Sequence, residues 1–341
     1  MAGHPPENRD VPDLARPGEF ALIARYFAPM AAPGGLGLLD DAACITPPAG
    51  HDLVITADAL VANVHFFADD PPTSIARKAL AVNLSDLAAK GAAPLGFLLS
   101  LALPRDWRED WLAAFADGLA REAGQGGCQL LGGDTVSTSG PLVLSITAFG
   151  SVPSGRMVRR SDAKPGDILC VSGTIGDGAL GLKAHGPHKP SWVTALCDSQ
   201  RANLSDRYLH PQARTVLAAL VQRHASAAMD LSDGLIGDAR KLLAASGIGA
   251  SIDLDLLPLS DAARAVLMAD PSCARLVWTG GDDYELFCAV PEKEWSAFSQ
   301  GAVALGVPVT RIGTAGGVTA PVQFFSGGVE VDAESGSYHH F

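Results

Sequence analysis

Apolar residues along this chain recur with two periods, and the switches between them predict its elements. Phe20, Ile23, Ala24 and Phe27 keep helical spacing, which predicts a helix over 18–28 before a Gly-rich loop. Leu53 to Thr56 reads as a buried strand ending at Asp58. Residues 74–90 return to the helical period and stop at Gly91, a natural left-handed terminator. Residues 95–103 (LGFLLSLAL) read as a strand, and 107–123 as a helix ended by the glycines of 124–127. A short strand at 128–131 runs into Gly132-Gly133-Asp134, and 141–150 is a further strand. In the second half, strands are predicted at 167–172, 226–230, 250–254, 284–290 and near 307–312. Helices are predicted near 177–185 and at 212–224, 233–246, 260–268 and 292–302, with 186–210 polar and irregular.

Alternating strands and helices in both halves predict an α/β (or α+β) protein. The polar, Gly/Pro-bearing stretch SVPSGRMVRRSDAKPGD (151–167) is the best boundary between an N-terminal domain, 18–150, and a C-terminal domain, 151–341. Residues 1–17 are polar and Pro-rich, read as a frayed tail without the apolar core of a signal peptide.

Composition narrows the function. The 341 residues carry a net charge of −12, and no Lys/Arg cluster stands out, which argues against a nucleic-acid surface. No apolar run is long enough for a membrane span. Six cysteines form no CxxC pair. Four sit in or beside apolar runs, as expected of reduced, buried thiols in a cytoplasmic protein.

Aspartates carry the candidate chemistry. Asp40 and Asp41, Asp58, Asp86, Asp134, Asp230 and Asp233, and Asp282 and Asp283 each stand in a short motif read as lying beside a strand end. Carboxylates are hard oxygen ligands suited to Mg²⁺, which binds one or two of them plus substrate phosphates. Taken singly, each has a plainer reading: a turn for Asp58, a surface helix position for Asp86, an N-cap for Asp230 or Asp233. Asp86 weighs most, because a carboxylate in the otherwise apolar helix AVNLSDLAAKGA needs a partner. Gly132-Gly133-Asp134 sets backbone N–H groups beside a carboxylate, which suits a phosphate–Mg²⁺ unit.

Other motifs are weaker. No G-x-x-x-x-G-K-[ST] occurs, which excludes a Walker loop. Gly176 to Gly181 matches G-x-G-x-x-G between a strand and a helix, open to a dinucleotide or a structural-turn reading. Arg159 and Arg160 are either solvated or reach phosphates at a domain cleft. His65 is a partly buried histidine or a substrate contact. LSD at 84–86 and 231–233 is followed each time by GGD, either by chance or because both halves use similar turns.

AVNLSDLAAKGA, LLGGDT, MDLSDGL and GGDDYEL, in this order and spacing, resemble the thiamine-monophosphate kinase family. So do GEFALIARYF, the segment from Asp58 to Phe66, and RSDAKPGD. The wider superfamily includes aminoimidazole ribonucleotide synthetase and selenophosphate synthetase. The resemblance implies a two-domain aminoimidazole ribonucleotide synthetase-like fold that dimerises through its N-terminal sheet. It also implies Mg²⁺-assisted phosphorylation of thiamine monophosphate by ATP. Carried over by motif, Asp41, Thr56, Ala57, Asp58, Asp86, Asp134, Asp230 and Asp233 fall at metal-ligand positions. Gly133, Asp134, Arg160 and Ser232 fall at ATP positions, and His65 and Asp282 at thiamine-phosphate positions. Asp40 and Asp283 are read as turn or supporting residues. Three departures stand out: Gly37-Leu38-Leu39-Asp40-Asp41 for G-I-G-D-D, Ala57 for a threonine, and Asp282 for a glutamate. Ser335 stands where the family has an aromatic, with Tyr338 nearby.

Such an acceptor needs no general base, because a phosphate monoester is largely dianionic at neutral pH. The obstacle is repulsion between two phosphates, which divalent cations offset. The rival readings are a sister ATP-using synthetase and a nucleotide-binding scaffold without turnover. The absence of Cys and Lys from residues 1–40 argues against a selenophosphate-type enzyme.

Overall fold

Two sheets organise the computed structural model, which describes residues 17–331. The N-terminal half begins with α1 (Glu19–Leu22), which continues through a π-helical stretch, Ile23–Phe27, and a 3-10 turn, Ala28–Met30. Then come β1 (His51–Val61), α2 (Pro72–Ala89), β2 (Ala93–Pro104), α3 (Glu109–Gly126), β3 (Gln129–Thr138) and β4 (Val143–Pro153). The sheet order is β1-β4-β2-β3, with β2 and β3 parallel and β4 antiparallel to its two neighbours.

The second half contains β5 (Ile168–Ser172), α4 (Asp177–His185), α5 (Asp198–Leu209), α6 (Ala218–His224) and β6 (Ala227–Asp230). It continues through α7 (Leu235–Ser246), β7 (Ala250–Asp253), α8 (Asp261–Ala269), α9 (Ala274–Thr279) and β8 (Leu286–Val290). Last come α10 (Glu292–Ala304), β9 (Val309–Ala315), β10 (Val322–Ser326) and β11 (Val329–Glu330). Its mixed sheet runs β11-β10-β7-β9-β5-β8-β6. α7 packs on one face, through Leu235, Ala239 and Leu242. α6 and α10 pack on the other, where Ala88 and Ala89 at the end of α2 join them.

The N-terminal sheet has one covered face and one bare face. Val54 and Leu60 of β1 are buried in the core that α2 and α3 complete, whereas Leu53, Ile55, Ala57 and Ala59 are exposed. Val136 of β3 adds to the bare face at 49% exposure.

Several boundaries differ from expectation. β1 does not end at Asp58, and β3 does not end before Gly132; both carboxylates lie inside strands. α3 runs through Gly124 and Gly126 and stops at Gly127, which takes φ +61°. The stretch 186–210 is not irregular. It holds a 3-10 turn, Ser191–Ala195, and all of α5, whose buried side chains include Leu204 and Tyr208. The helix expected over 212–224 is a 3-10 turn, Thr215–Leu217, followed by the short α6. α9, β10 and β11 were not anticipated. The repeated LSD and GGD tripeptides do not use similar turns: the first pair lies in a helix and a strand, the second in loops. Ser335 and Tyr338 lie outside the described residues.

The G-x-G-x-x-G run is a packing device. A Cβ on Gly181 would stand 2.1 Å from the Leu204 carbonyl oxygen, so this glycine is what lets α4 and α5 approach. We expect Gly181→Ala to separate these helices and cost ~1–3 kcal/mol. Chemical denaturation measures this, and unchanged stability would show that the contact yields freely.

Candidate functional site

β6 ends at the first carboxylate of MDLSDGL, and the loop beyond is tied to GGDDYEL by backbone. Asp282 N–H donates to the Ser232 carbonyl at 2.9 Å, and Tyr284 N–H to that of Leu231 at 2.9 Å. Glycine is required here: Gly281 takes φ +73°, and a Cβ on it would meet the Ser232 oxygen at 2.3 Å. Asp282 and Tyr284 are themselves left-handed, at φ +66° and +52°, an uncommon state for such residues.

α2 brings the N-terminal carboxylates to the same place. The Thr56 hydroxyl donates to Asp86 Oδ2 at 2.5 Å. Asn83, fully buried, accepts the Asp58 N–H at 3.1 Å and donates to the Ala79 carbonyl at 3.0 Å. The Ser85 hydroxyl bonds to Asp230. Burial, with Asp86 and Asp233 nearby, pushes the Asp58 carboxyl up from 3.8 to about 6. Burial, with Asp86, Asp238 and Asp58 nearby, pushes Asp230 up to about 8. Four of the expected residues (Asp58, Asp86, Asp230 and Asp233) therefore share one electrostatic site at the junction of the halves.

Cations border this site. Lys241 binds Asp233 at 2.5 Å and Asp238 at 2.9 Å. Lys90 donates to the Ala228 carbonyl at 2.7 Å. Burial, and Arg160 beside it, lower the Lys90 ammonium below its ordinary value. Arg160 itself is exposed, and its carbonyl accepts the Ser246 hydroxyl.

Other expected residues lie elsewhere. Register aligns Asp58 with Ile146, Ile146 with Leu99, and Leu99 with Gly133. Asp58 and the Gly133-Asp134 pair are thus on opposite edges of the sheet, three strand spacings or roughly 14 Å apart. Asp134 is exposed and aligns through Ser100 and Ser145 with Ala59 of the bare face. Asp41 is exposed too. Its N–H donates to Asp40, and the chain before it runs beside β3, with a bridge between Ala31 and Leu130. His65 is half-buried after β1, with Nδ1 accepting the Val61 N–H at 3.0 Å. Asp282 pairs with Lys78 at 2.9 Å. Asp283 caps α4: its carboxylate accepts Gly176 N–H at 2.7 Å and Gly178 N–H at 2.9 Å. That fills the helix terminus a dinucleotide phosphate would need, and with it the dinucleotide reading falls.

Sequence reasoning missed Lys78, Lys241 and Asp238. Lys78 had a signal, since it is a charge in the same apolar helix that drew attention to Asp86.

Comparison with known proteins completes the picture. Residues 39–152 match the model of the AIR synthase related protein N-terminal domain, and 164–321 that of its C-terminal domain. Thiamine-monophosphate kinase of Caulobacter vibrioides is 46% identical over 307 residues, covering 89% of this chain and 85% of the relative. The chain belongs to the thiamine-monophosphate kinase family. Among solved structures, the family member from Stenotrophomonas maltophilia is 40% identical, with a TM-score of 0.77 over 85% of this chain and 90% of that one. AaThiL, solved with AMPPCP and TMP, is 28% identical, with a TM-score of 0.73 over 98% and 99% of the two chains. Hydrogenase maturation protein HypE, at 18% identity and a TM-score of 0.74 over 92% and 93%, shares the fold.

Among the described residues, no three His, Cys, Asp or Glu side chains close around one point as a fully protein-bound ion demands. The donor set still fits a hard divalent cation. The donors are oxygens, and Asp86 repels both Asp58 and Asp230, whose charge burial also disfavours. Mg²⁺ commonly takes one or two carboxylates and completes its shell with water and phosphate.

The raised carboxyls set a pH dependence. In the folded chain Asp58 and Asp230 hold protons up to about 6 and about 8, against 3.8 when free. These two groups therefore favour folding most at low pH, and their contribution is lost as pH rises through those values and they ionise. In chelator-treated protein, Asp230→Asn should raise the unfolding temperature above pH 8, relative to the unsubstituted chain, with the gap closing near pH 4. A gap independent of pH would contradict the assignment.

Proposed function

We propose that this chain transfers the γ-phosphoryl group of ATP to the phosphate of thiamine monophosphate, giving thiamine diphosphate and ADP. The observation that carries the reading is the cluster of Asp58, Asp86, Asp230 and Asp233 at the junction of the halves. Membership of the kinase family and likeness to a structure solved with AMPPCP and TMP support it.

Asp58, Asp86, Asp230 and Asp233 would hold Mg²⁺, with the Thr56 hydroxyl and the Ala57 carbonyl as further oxygen donors. Bound magnesium offsets the negative charge that two phosphorylated substrates bring together. The side chains do the remaining work by position. Thr56 orients Asp86, Asn83 fixes the backbone at Asp58, and Lys241 holds Asp233. Arg160 and the Ser232 region face the nucleotide, and His65 and Asp282 face the thiamine moiety. Transfer is in line between the two phosphates, with no general base. The likeness to HypE carries no activity, and the family membership stands against the sister-synthetase reading.

The functional unit in this reading is a homodimer joined through the bare sheet face, in the cytoplasm. Asp134 and Asp41 lie at the β3 edge, far from Asp58 in the same chain. They join the phosphate site across this dimer, so that each site takes Asp58 and Asp86 from one subunit and Asp134 from its partner. The domains implied are 18–150, for dimerisation and nucleotide binding, and 151–341, which closes the cleft.

Purified protein with magnesium, ATP and thiamine monophosphate should yield thiamine diphosphate and ADP, resolved by chromatography. Asp86→Asn should cut kcat by orders of magnitude. AMP with free phosphate, or no turnover, would refute the reading.

Mixed dimers test the shared site. Asp86→Asn and Asp134→Asn subunits should each be inactive alone. A heterodimer of the two retains one intact site and should recover roughly half the wild-type rate. A dead heterodimer would put both carboxylates in one chain's own site.

A further inference from the structure

α2 presents a polar stripe to the C-terminal half that the phosphate site does not use up. Ser74, Lys78 and Ser85 fall on one helical face. Ser74 Oγ lies 2.9 Å from His210 Nε2, and Ser85 Oγ 3.5 Å from the Tyr284 carbonyl. Between them, Lys78 Nζ meets Asp282 Oδ2 at 2.9 Å and stands 4.1 Å from the centroid of the Tyr208 ring. The pair is asymmetric: the Lys78 side chain is 4% exposed and that of Asp282 22%. The carboxylate reaches outward with the ammonium behind it.

This pair has a place relative to the chemistry. Lys78 precedes Asp86 by eight residues, or about 12 Å along the helix. A phosphate ester carrying two linked rings spans such a distance when extended. His65 belongs to the same end, because α2 runs opposite to β1: Asp86 meets Thr56, Asn83 meets Asp58, and β1 leads on to His65.

A lone carboxylate here would attract any cation, including magnesium or the acceptor's thiazolium ring. An ammonium at 2.9 Å offsets that charge and leaves a directional acceptor. The left-handed backbone at Asp282 and its N–H bond to Ser232 fix where that acceptor points.

Building on the kinase reading, we propose that Lys78 is a specificity-determining positioning residue. By pairing with Asp282, it turns that carboxylate into an oriented acceptor for the exocyclic amino group of the substrate's pyrimidine ring. An acceptor molecule bearing oxygen in place of that amino group cannot donate this bond, and it leaves a partly desolvated oxygen unmatched.

The test compares kcat/KM for thiamine monophosphate and for its analogue with oxo in place of the exocyclic amino group. The unsubstituted enzyme should prefer the amino form by roughly 10²-fold or more. In K78M that preference should fall at least tenfold, with KM for ATP within about twofold of wild type. D282N, whose change lies at the more exposed partner, should lose the preference likewise, and K78M/D282N should be no worse than D282N. A K78M enzyme that keeps its preference would overturn the proposal. So would equal losses on both acceptors with a parallel rise in KM for ATP. If K78M does not fold, a D282N enzyme that still prefers the amino form overturns it. Failure of the unsubstituted enzyme to phosphorylate thiamine monophosphate would instead strike the kinase reading.

Discussion

Burial of α2 between the two halves is the constraint on which the rest depends. Nearly every residue from Ser74 to Ala89 is buried, so each polar group on this helix must meet a fixed partner. Those partners come from β1, from the end of β6, from the loop before β8 and from the C-terminal end of α5. The helix therefore sets the separation and angle of the halves and the geometry of the carboxylates together. Its charges cannot be shifted without moving the joint.

The carboxylate cluster carries a standing electrostatic cost. Asp58 and Asp230 are held where ionisation is opposed by burial and by the nearby charge of Asp86. A fold selected for stability alone would replace them with apolar side chains. Glu285 shows the other solution: it is fully buried yet bonded to Arg207, Arg214 and the Ser172 hydroxyl. Two guanidinium groups meet the charge of Glu285, whereas burial raises Asp58 and Asp230 towards their neutral forms.

Much of this was legible in the sequence because local pattern and tertiary role agreed. α2, α4 and α7 were read close to their true bounds because each ends at or just before a glycine, Gly91, Gly186 and Gly247. The strands bearing Asp58 and Asp134 were cut short for a physical reason. Polar Thr56 and Asp58 point to the covered side, against the usual alternation, because α2 supplies polar partners there. β3 passes through Gly132 and Gly133 because a Cβ at Gly133 would strike the Leu99 carbonyl. α5 was missed because two buried apolar side chains in twelve residues make a faint period. The wide separation of Asp58 and Asp134 was invisible, since it depends on strand order rather than on motif spacing.

Asp283 gives the fold a wider meaning. By filling the N-terminus of α4 with an internal carboxylate, the chain forgoes the amide cradle with which many nucleotide-binding proteins hold phosphate. Under the proposed function, its grip on a polyphosphate passes through exchangeable ions. Occupancy would then follow the cell's free magnesium as closely as its ATP, and ion supply becomes a second substrate in all but name.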